Sequence, residues 1–330
     1  MLIDFYKGGY VSYLVGALFA GIGGIELGFK KAGLKIAFAN EIDKNANITY
    51  KSNFKHLLKT CDMRELDPST LPKVDILVGG FPCQAFSIAG YQKGFNDDRG
   101  DIFFDIIRYI NALKPEVLFL ENVKNLASHD KGRTFKIIQD ELNKAGYHIK
   151  SAILNTCQYT DIPQNRERIY IVCFKDKNMS EAFKFPKKRE NKPRSIRDFL
   201  EKNVDDCFYY HNSKYLAELK SVMTNKDTFY QWRRVYVREN KNGLCPTLTA
   251  NMGMGGHNVP LVLDDNMNIR KITPRECARF QGFDDSFILP TQLSNSALYK
   301  QIGNSVSVPV IELIAVQILK VLQEFDKKVA

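Results

Sequence analysis

The chain has 330 residues, 44% of them hydrophobic and 25% charged, with a formal charge of +10 and an isoelectric point of about 9.1. This is an ordinary globular composition with enough chain for a full core, and it excludes a low-complexity or repetitive protein. Seven cysteines, an odd number without C-x-x-C spacing, exclude a disulfide framework and a zinc ribbon, while the basic excess suits a polyanionic partner such as nucleic acid.

The N-terminus, Met1-Leu2-Ile3-Asp4, lacks the basic stretch of a secretory signal, and the apolar run over 11–20 is too short to span a bilayer. A strand is expected over 13–18, a helix over 24–32 and a second strand over 36–39. Further strands follow at 76–79 and 117–120, with a helix over 103–113 between them. A helix over 135–145 and strands near 149–154 and 169–174 complete the run. The alternation predicts an α/β fold, a doubly wound sheet with helices on both faces.

The pattern stops after Phe174. Residues 184–192 are rich in Lys, Arg and Pro and read as a linker. From there to about 263, turn residues and short β-prone pieces such as Arg234-Val235-Tyr236-Val237 predict a smaller, β-rich second domain. Residues 308–325 have apolar side chains at helical spacing and should return to the first domain. The expected division is 1–185 with 295–330 for the larger domain and 186–294 for the smaller.

Two strand exits carry chemistry. Gly79-Gly80-Phe81-Pro82-Cys83-Gln84 follows the apolar run Val74-Asp75-Ile76-Leu77-Val78, and Glu121-Asn122-Val123 follows Val117-Leu118-Phe119-Leu120. Open α/β sheets place ligands at the carboxyl ends of their strands. A thiol and a carboxylate on one such edge suggest covalent catalysis assisted by an acid.

The loop after the first strand, Phe19-Ala20-Gly21-Ile22-Gly23-Gly24, lets backbone approach a ligand at a helix N-terminus. It is not a dinucleotide fingerprint, because Glu26 holds the third glycine position, where it would repel a pyrophosphate. No Walker sequence occurs. A nucleoside cofactor without pyrophosphate is expected, with Glu41 at the usual offset for a ribose-binding acid and Asp62 as an acceptor for an adenine amino group.

Together these residues resemble the cytosine-C5 DNA methyltransferase family, known from bacterial restriction–modification systems. The resemblance runs along nearly the whole chain. It continues through Arg99-Gly100-Asp101-Ile102-Phe103-Phe104, Gln164-Asn165-Arg166-Glu167-Arg168, Arg270-Lys271-Ile272-Thr273-Pro274-Arg275-Glu276-Cys277-Ala278-Arg279 and Gln301-Ile302-Gly303-Asn304-Ser305-Val306. It implies an S-adenosylmethionine-dependent, Rossmann-like sheet with a target-recognition domain. The implied cofactor-binding residues are Phe19, Ala20, Gly21, Gly23, Gly24, Glu41, Ile42, Asp62, Met63, Pro82, Ile102, Asn304 and Ser305. Two positions depart from the family: Ala17 stands where many members have Asp, and Ile42 where an aromatic residue often stacks on adenine.

The implied mechanism makes Cys83 the nucleophile that adds to C6 of a flipped cytosine, after which C5 takes a methyl group. Glu121 acts at N3, Arg168 holds O2 and Arg166 supports the site or a phosphate. Residues 84–98, polar and containing Gly90 and Gly94, suit a closing loop. The target-recognition segment Gln231-Trp232-Arg233-Arg234-Val235-Tyr236-Val237-Arg238 interleaves arginines with aromatics, and the run from Thr247-Leu248-Thr249 to Val259 matches the family's recognition core. The implied DNA contacts are Arg233, Arg234, Arg238, Thr247, Thr249, Asn251, Gly255 and Gly256. His257 has no second ligand at metal spacing, and no metal is expected.

The expected partner is double-stranded DNA, alongside a separately acting cognate restriction endonuclease, for a monomer in the bacterial cytoplasm with no membrane association. Alternative readings are a tRNA cytosine-5 methyltransferase, which the extended basic second domain disfavours, and a catalytically silent DNA-binding member, which Cys83, Glu121 and Arg168 argue against.

Overall fold

Short apolar runs build the central sheet of the protein, seen in a computed structural model that describes residues 12–82, 102–211, 213–233, 236–240, 242–252 and 259–329. The strands are β1 (Leu14–Leu18), β2 (Lys35–Asn40), β3 (Leu57–Lys59), β4 (Ile76–Gly80), β5 (Val117–Val123), β6 (His148–Asn155) and β7 (Glu167–Phe174). They form one sheet in the order β3-β2-β1-β4-β5-β7-β6. Ile76, Val117, Leu118 and Phe119 are fully buried, as central strands covered on both faces require.

β1 to β5 run parallel, but β7 lies antiparallel to both β5 and β6. The link from β6 to β7 is too short for a crossover helix, so the chain turns straight back. As a result β7 starts at the edge where β4 and β5 end. Gly80 pairs with Glu121, and Val123 pairs with Arg168. β1 has β2 on one side and β4 on the other, which makes its exit the switch point where such sheets bind ligands.

α1 (Gly24–Lys31) packs on one face of the sheet, while α3 (Ile102–Leu113) and α4 (Arg133–Lys144) pack on the other. Between α1 and α3 in sequence comes α2 (Lys44–Asn53), which periodicity did not predict. Its sequence has no apolar stripe. It is started by Asp43, whose carboxylate accepts from the backbone N–H groups of Asn45 and Ala46.

The second sheet holds β8 (Phe229–Arg233), β9 (Tyr236–Asn240), β10 (Leu261–Leu263) and β11 (Ile269–Lys271) in the antiparallel order β11-β10-β8-β9. Tyr230, Trp232 and Val237 pack with Leu219 and Met223 beside α5 (Leu216–Val222) in a small core of their own. Phe229 and Val262, on the other face, join the core of the larger sheet. Residues 184–192 carry no regular secondary structure.

Three helices close the chain. α6 (Pro274–Gln281) begins with a capping box between Thr273 and Glu276, and α7 (Asn295–Asn304) begins on Ser294. α8 (Val308–Val329) returns to α1, as its spacing predicted. A Cβ on Gly28 would stand 2.6 Å from Ile311, so only glycine lets the two helices meet this closely. The last two helices together are long and apolar enough to cross a membrane by composition alone. Here Val308, Val310, Ile311, Ile314, Ala315 and Ile318 are fully buried as core.

Candidate functional site

A cleft of about 600 Å³ opens at the switch point. Its walls come from the exits of β1, β2, β4 and β5, the start of β7, the segment at Thr249 and the end of α7. It therefore gathers Phe19, Gly21, Glu41, Pro82, Glu121, Arg166, Arg168, Thr249 and Asn304 from distant parts of the sequence.

Glu121 is buried, and its Oε1 lies 3.2 Å from Arg168 Nε. That ion pair is not aligned as a hydrogen bond, so Oε1 has no hydrogen-bond partner among the described residues. Burial raises the pKa of Glu121, against the opposing pull of Arg168 and Arg166. The next residue, Asn122, donates from Nδ2 to the carbonyl of Phe81 at 2.9 Å. The Phe81 ring packs on Phe103, so the chain is held firmly just before position 83. Cys83 itself lies outside the described residues, as do residues 84–98.

The other end of the cleft is built to receive backbone-close ligands. Phe19 has φ 54°, a left-handed value uncommon outside glycine, and turns the chain sharply out of β1. A Cβ on Gly21 would meet nothing within 4 Å, so the loop there is open. Glu41 accepts from the N–H groups of Gly21 and Asp43, both at 2.7 Å, which fixes its carboxylate at the rim. Burial raises its pKa while those two bonds lower it. Gln301, from α7, also lines the cleft, and its Oε1 accepts from the Thr49 hydroxyl at 2.7 Å. An open glycine loop and a fixed acceptor for hydroxyls fit a nucleoside cofactor.

The remaining expected cofactor residues divide. Ala20, Met63 and Ser305 are buried at or under the site. A Cβ on Gly23 would stand 2.2 Å from the Phe54 ring, and one on Gly24 2.6 Å from the Ser305 hydroxyl, so a larger residue at either position would force its neighbour to shift. Ile42 is 61% exposed, and Asp62 is engaged by the Arg64 side chain. Ile102 begins α3 and is partly buried. None of these three lines the cleft.

Glu26 corrects an expectation. Its carboxyl is fully buried and accepts from the Tyr50 hydroxyl at 3.2 Å. Burial pushes its pKa up to about 8. It belongs to the core beneath the loop, so exclusion of a dinucleotide does not rest on surface repulsion by Glu26.

A second, polar groove of about 470 Å³ joins the cleft at Thr249, which lines both. Arg233, Arg238, Gln231 and Thr247 face it from the β8–β9 hairpin and the segment beyond. Thr247 donates to the carbonyl of Asn165 at 2.7 Å, and Gln164 forms a parallel bridge with Cys245. Arg166, almost fully buried, then donates to the carbonyls of Leu248, at 2.9 Å, and Ser305. It thus ties the segment at Leu248 to the residue that follows α7. Asn251 is exposed and lines neither cavity. Arg234, Gly255, Gly256 and His257 lie outside the described residues.

Sequence reasoning did not single out Asn122, Gly303 or Gln301 as site residues. All three sat inside recognised motifs, but their roles depend on partners distant in sequence: Phe81, Thr249 and Thr49.

The profile of the C-5 cytosine-specific DNA methylases matches residues 14–320. The chain is 53% identical over 312 residues to the Type II methyltransferase M.Bsp6I of Bacillus sp. (strain RFL6), covering 93% of this chain and 98% of that one. It is 38% identical over 316 residues to the Type II methyltransferase M.HhaI of Haemophilus parahaemolyticus, covering 91% and 92%. Among solved structures, the fold is similar to the S. pombe Dnmt2 methyltransferase, with a TM-score of 0.73 at 22% identity over 94% of this chain and 99% of that one. It is also similar to a putative DNA modification methyltransferase encoded within an E. coli prophage, with a TM-score of 0.71 at 23% identity over 94% and 100%.

Proposed function

The chain belongs to the C-5 cytosine-specific DNA methylase family, and on that premise we propose that it methylates cytosine within a fixed sequence of duplex DNA through a covalent step at Cys83. The observation that carries this reading is the meeting of Glu121 and Arg168 at the edge where the chain leaves β4 toward Cys83.

C5 of cytosine is a poor nucleophile. Addition of the Cys83 thiolate to C6 converts the ring to an enamine that is nucleophilic at C5. Burial raises the pKa of Glu121 and so shifts it toward the protonated form, which can give its proton to N3 as the C6–S bond forms. Arg168 offers its guanidinium to O2, and the same positive charge favours thiolate at Cys83. Once C5 carries the methyl group, loss of the C5 proton, breaking of the C6–S bond and return of the N3 proton to the Glu121 carboxylate restore the aromatic ring. A base stacked in a duplex cannot present C6 to a thiol, so the target must be flipped into the cleft.

When bound, S-adenosylmethionine supplies an electrophilic methyl group. Phe19, Ala20, Gly21, Gly23 and Gly24 would form its loop, with Met63, Pro82, Ile102 and Ile42 around it. Glu41 would take its ribose hydroxyls and Asp62 its adenine amino group, while Asn304 and Ser305 would close the pocket. Residues 186–294 form the recognition domain of this proposal, with Arg233, Arg234, Arg238, Thr247, Thr249, Asn251, Gly255 and Gly256 on the DNA side.

Relatives bearing the name Type II methyltransferase support a modification role. The chain would act as a monomer in the bacterial cytoplasm, protecting host DNA from a separate restriction endonuclease. Bisulfite sequencing of DNA from cells expressing the chain tests the proposal. Protection of one cytosine in every copy of a short sequence is expected; uniformly converted cytosines in cells with folded protein would contradict it.

A further inference from the structure

The segment over 184–192 has no regular secondary structure, yet it is held in place. Just before it, Phe183 is buried, with its ring against those of Phe174 and Phe185. Just after it, Ile196 is buried. Between these anchors the backbone N–H of Arg189 donates to the carbonyl of Gln158 at 2.9 Å, and that of Arg194 to the carbonyl of Asp161 at 2.8 Å. The segment is therefore laid along the connection between β6 and β7.

Its charge is one-sided. Lys187, Lys188, Arg189 and Lys192 are all exposed and stand against a single acid, Glu190. Among the described residues no carboxylate pairs with any of the four, whereas the nearby Arg194 is taken by Asp198 at 3.1 Å. Like charges this crowded repel one another, and a polyanion removes that cost.

The position identifies the polyanion. β6 ends at Asn155 and β7 begins at Glu167, on the sheet edge that carries Glu121 and Arg168. The connection between them folds back on itself: the Cys157 N–H donates to the Gln164 carbonyl at 3.1 Å, and Asn155 Nδ2 donates to Asn165 Oδ1 at 2.6 Å. Asn165 then lines the polar groove with Arg233 and Arg238. One short connection thus separates the cationic segment from the groove. A duplex carries a negative charge about every 1.7 Å along its axis, so DNA seated in the groove continues beyond it as an unbroken row of phosphates.

We propose that Lys187, Lys188, Arg189 and Lys192 form a surface that binds the phosphates of duplex DNA flanking the target sequence. This assignment rests on the reading of the polar groove as the DNA interface. Contacts of this kind fix the path of the duplex and add affinity without reading bases.

Equilibrium binding of the full chain to two duplexes tests it. Both are centred on the site located by bisulfite sequencing, one spanning about one helical turn and the other about three. The wild type should hold the long duplex more tightly, with the steeper salt dependence. Lys187→Gln, Lys188→Gln, Arg189→Gln and Lys192→Gln together should weaken the long duplex by about 10- to 100-fold at low salt, lower its salt slope by about 2–4, and leave the short duplex within about threefold. Glu190→Gln removes the opposing acid and should tighten the long duplex by about 2- to 5-fold. It carries the test if the fourfold variant does not fold. Equal losses for both duplexes, or no loss for the long one, would overturn the assignment while leaving the groove reading in place. Loss on a hairpin RNA without loss on the long duplex would assign the segment to RNA and overturn it likewise. A wild-type chain that binds neither duplex would overturn both readings.

Discussion

A Cβ added to Gly303 would stand 2.1 Å from the carbonyl oxygen of Thr249, so the end of α7 and the segment at Thr249 meet backbone to backbone. Neither side can yield by rotating a side chain. Arg166 holds the same junction from below through the carbonyls of Leu248 and Ser305. Gly303→Ala should therefore cost about 1–3 kcal/mol of stability, the usual range for overpacking, and displace Thr249 from the cleft. Thermal denaturation and methylation assays check both effects. Wild-type melting and turnover would show that the junction is looser than its distances indicate.

Glu26 should make stability fall with rising pH. Its folded pKa, about 8, lies above the ordinary carboxyl value of 4.5, so the folded state holds the proton more tightly than the unfolded state. Its contribution is full below about pH 4.5 and is lost progressively as pH rises to about 8. Glu26→Gln removes this titration. Melting temperatures across pH 5 to 8 should decline more steeply for the wild type than for the variant. Parallel profiles would mean that Glu26 titrates normally.

Glu121 predicts a pH effect on rate. Burial raises its pKa, and the acid form does the work at N3, so activity is kept at low pH and lost as pH rises through that raised value. Glu121→Gln can hydrogen-bond to N3 but cannot protonate it. Single-turnover methylation should be slower by about 10²–10⁴-fold and lose this alkaline limb. An unchanged limb in the variant would assign it to another group.

Much of this was legible in the chain, for local reasons. The apolar runs of β4 and β5 and the glycines at the exits mark the sheet and its active edge without any knowledge of packing. The capping box of α6 also stands in the sequence, as Thr273-Pro274-Arg275-Glu276. α2 was missed because Lys44-Asn45-Ala46-Asn47 has no hydrophobic period; its cap and its packing of Tyr50 hold it. The role of Gln301 depends on Thr49, 252 positions away, and that of Arg166 on two backbone carbonyls. Such partners are set by tertiary structure and leave no spacing to read. The place of Glu26 is not legible for the same reason, since burial beside Tyr50 is not a property of glycine spacing.

Arg233 and Arg238 face the polar groove and should separate binding from reading. A substitution at a phosphate contact should weaken all sequences alike and reduce the salt slope by about one. A substitution at a guanine contact should relax one position of the site by about 1–3 kcal/mol. Affinities across a set of site variants at several salt concentrations distinguish them. Alanine variants of both with unchanged affinity and site preference would remove this groove from the DNA interface.

The covalent step at Cys83 is tested most directly by duplex DNA carrying 5-fluorocytosine at the target base. Fluorine cannot leave C5 as a proton does, so the adduct should persist after methyl transfer. On a denaturing gel, the wild-type chain with S-adenosylmethionine should give a slow protein–DNA band. Cys83→Ser, still able to bind DNA, should give none. A band that survives Cys83→Ser, or no band from an enzyme that methylates the unmodified site, would contradict nucleophilic catalysis by Cys83.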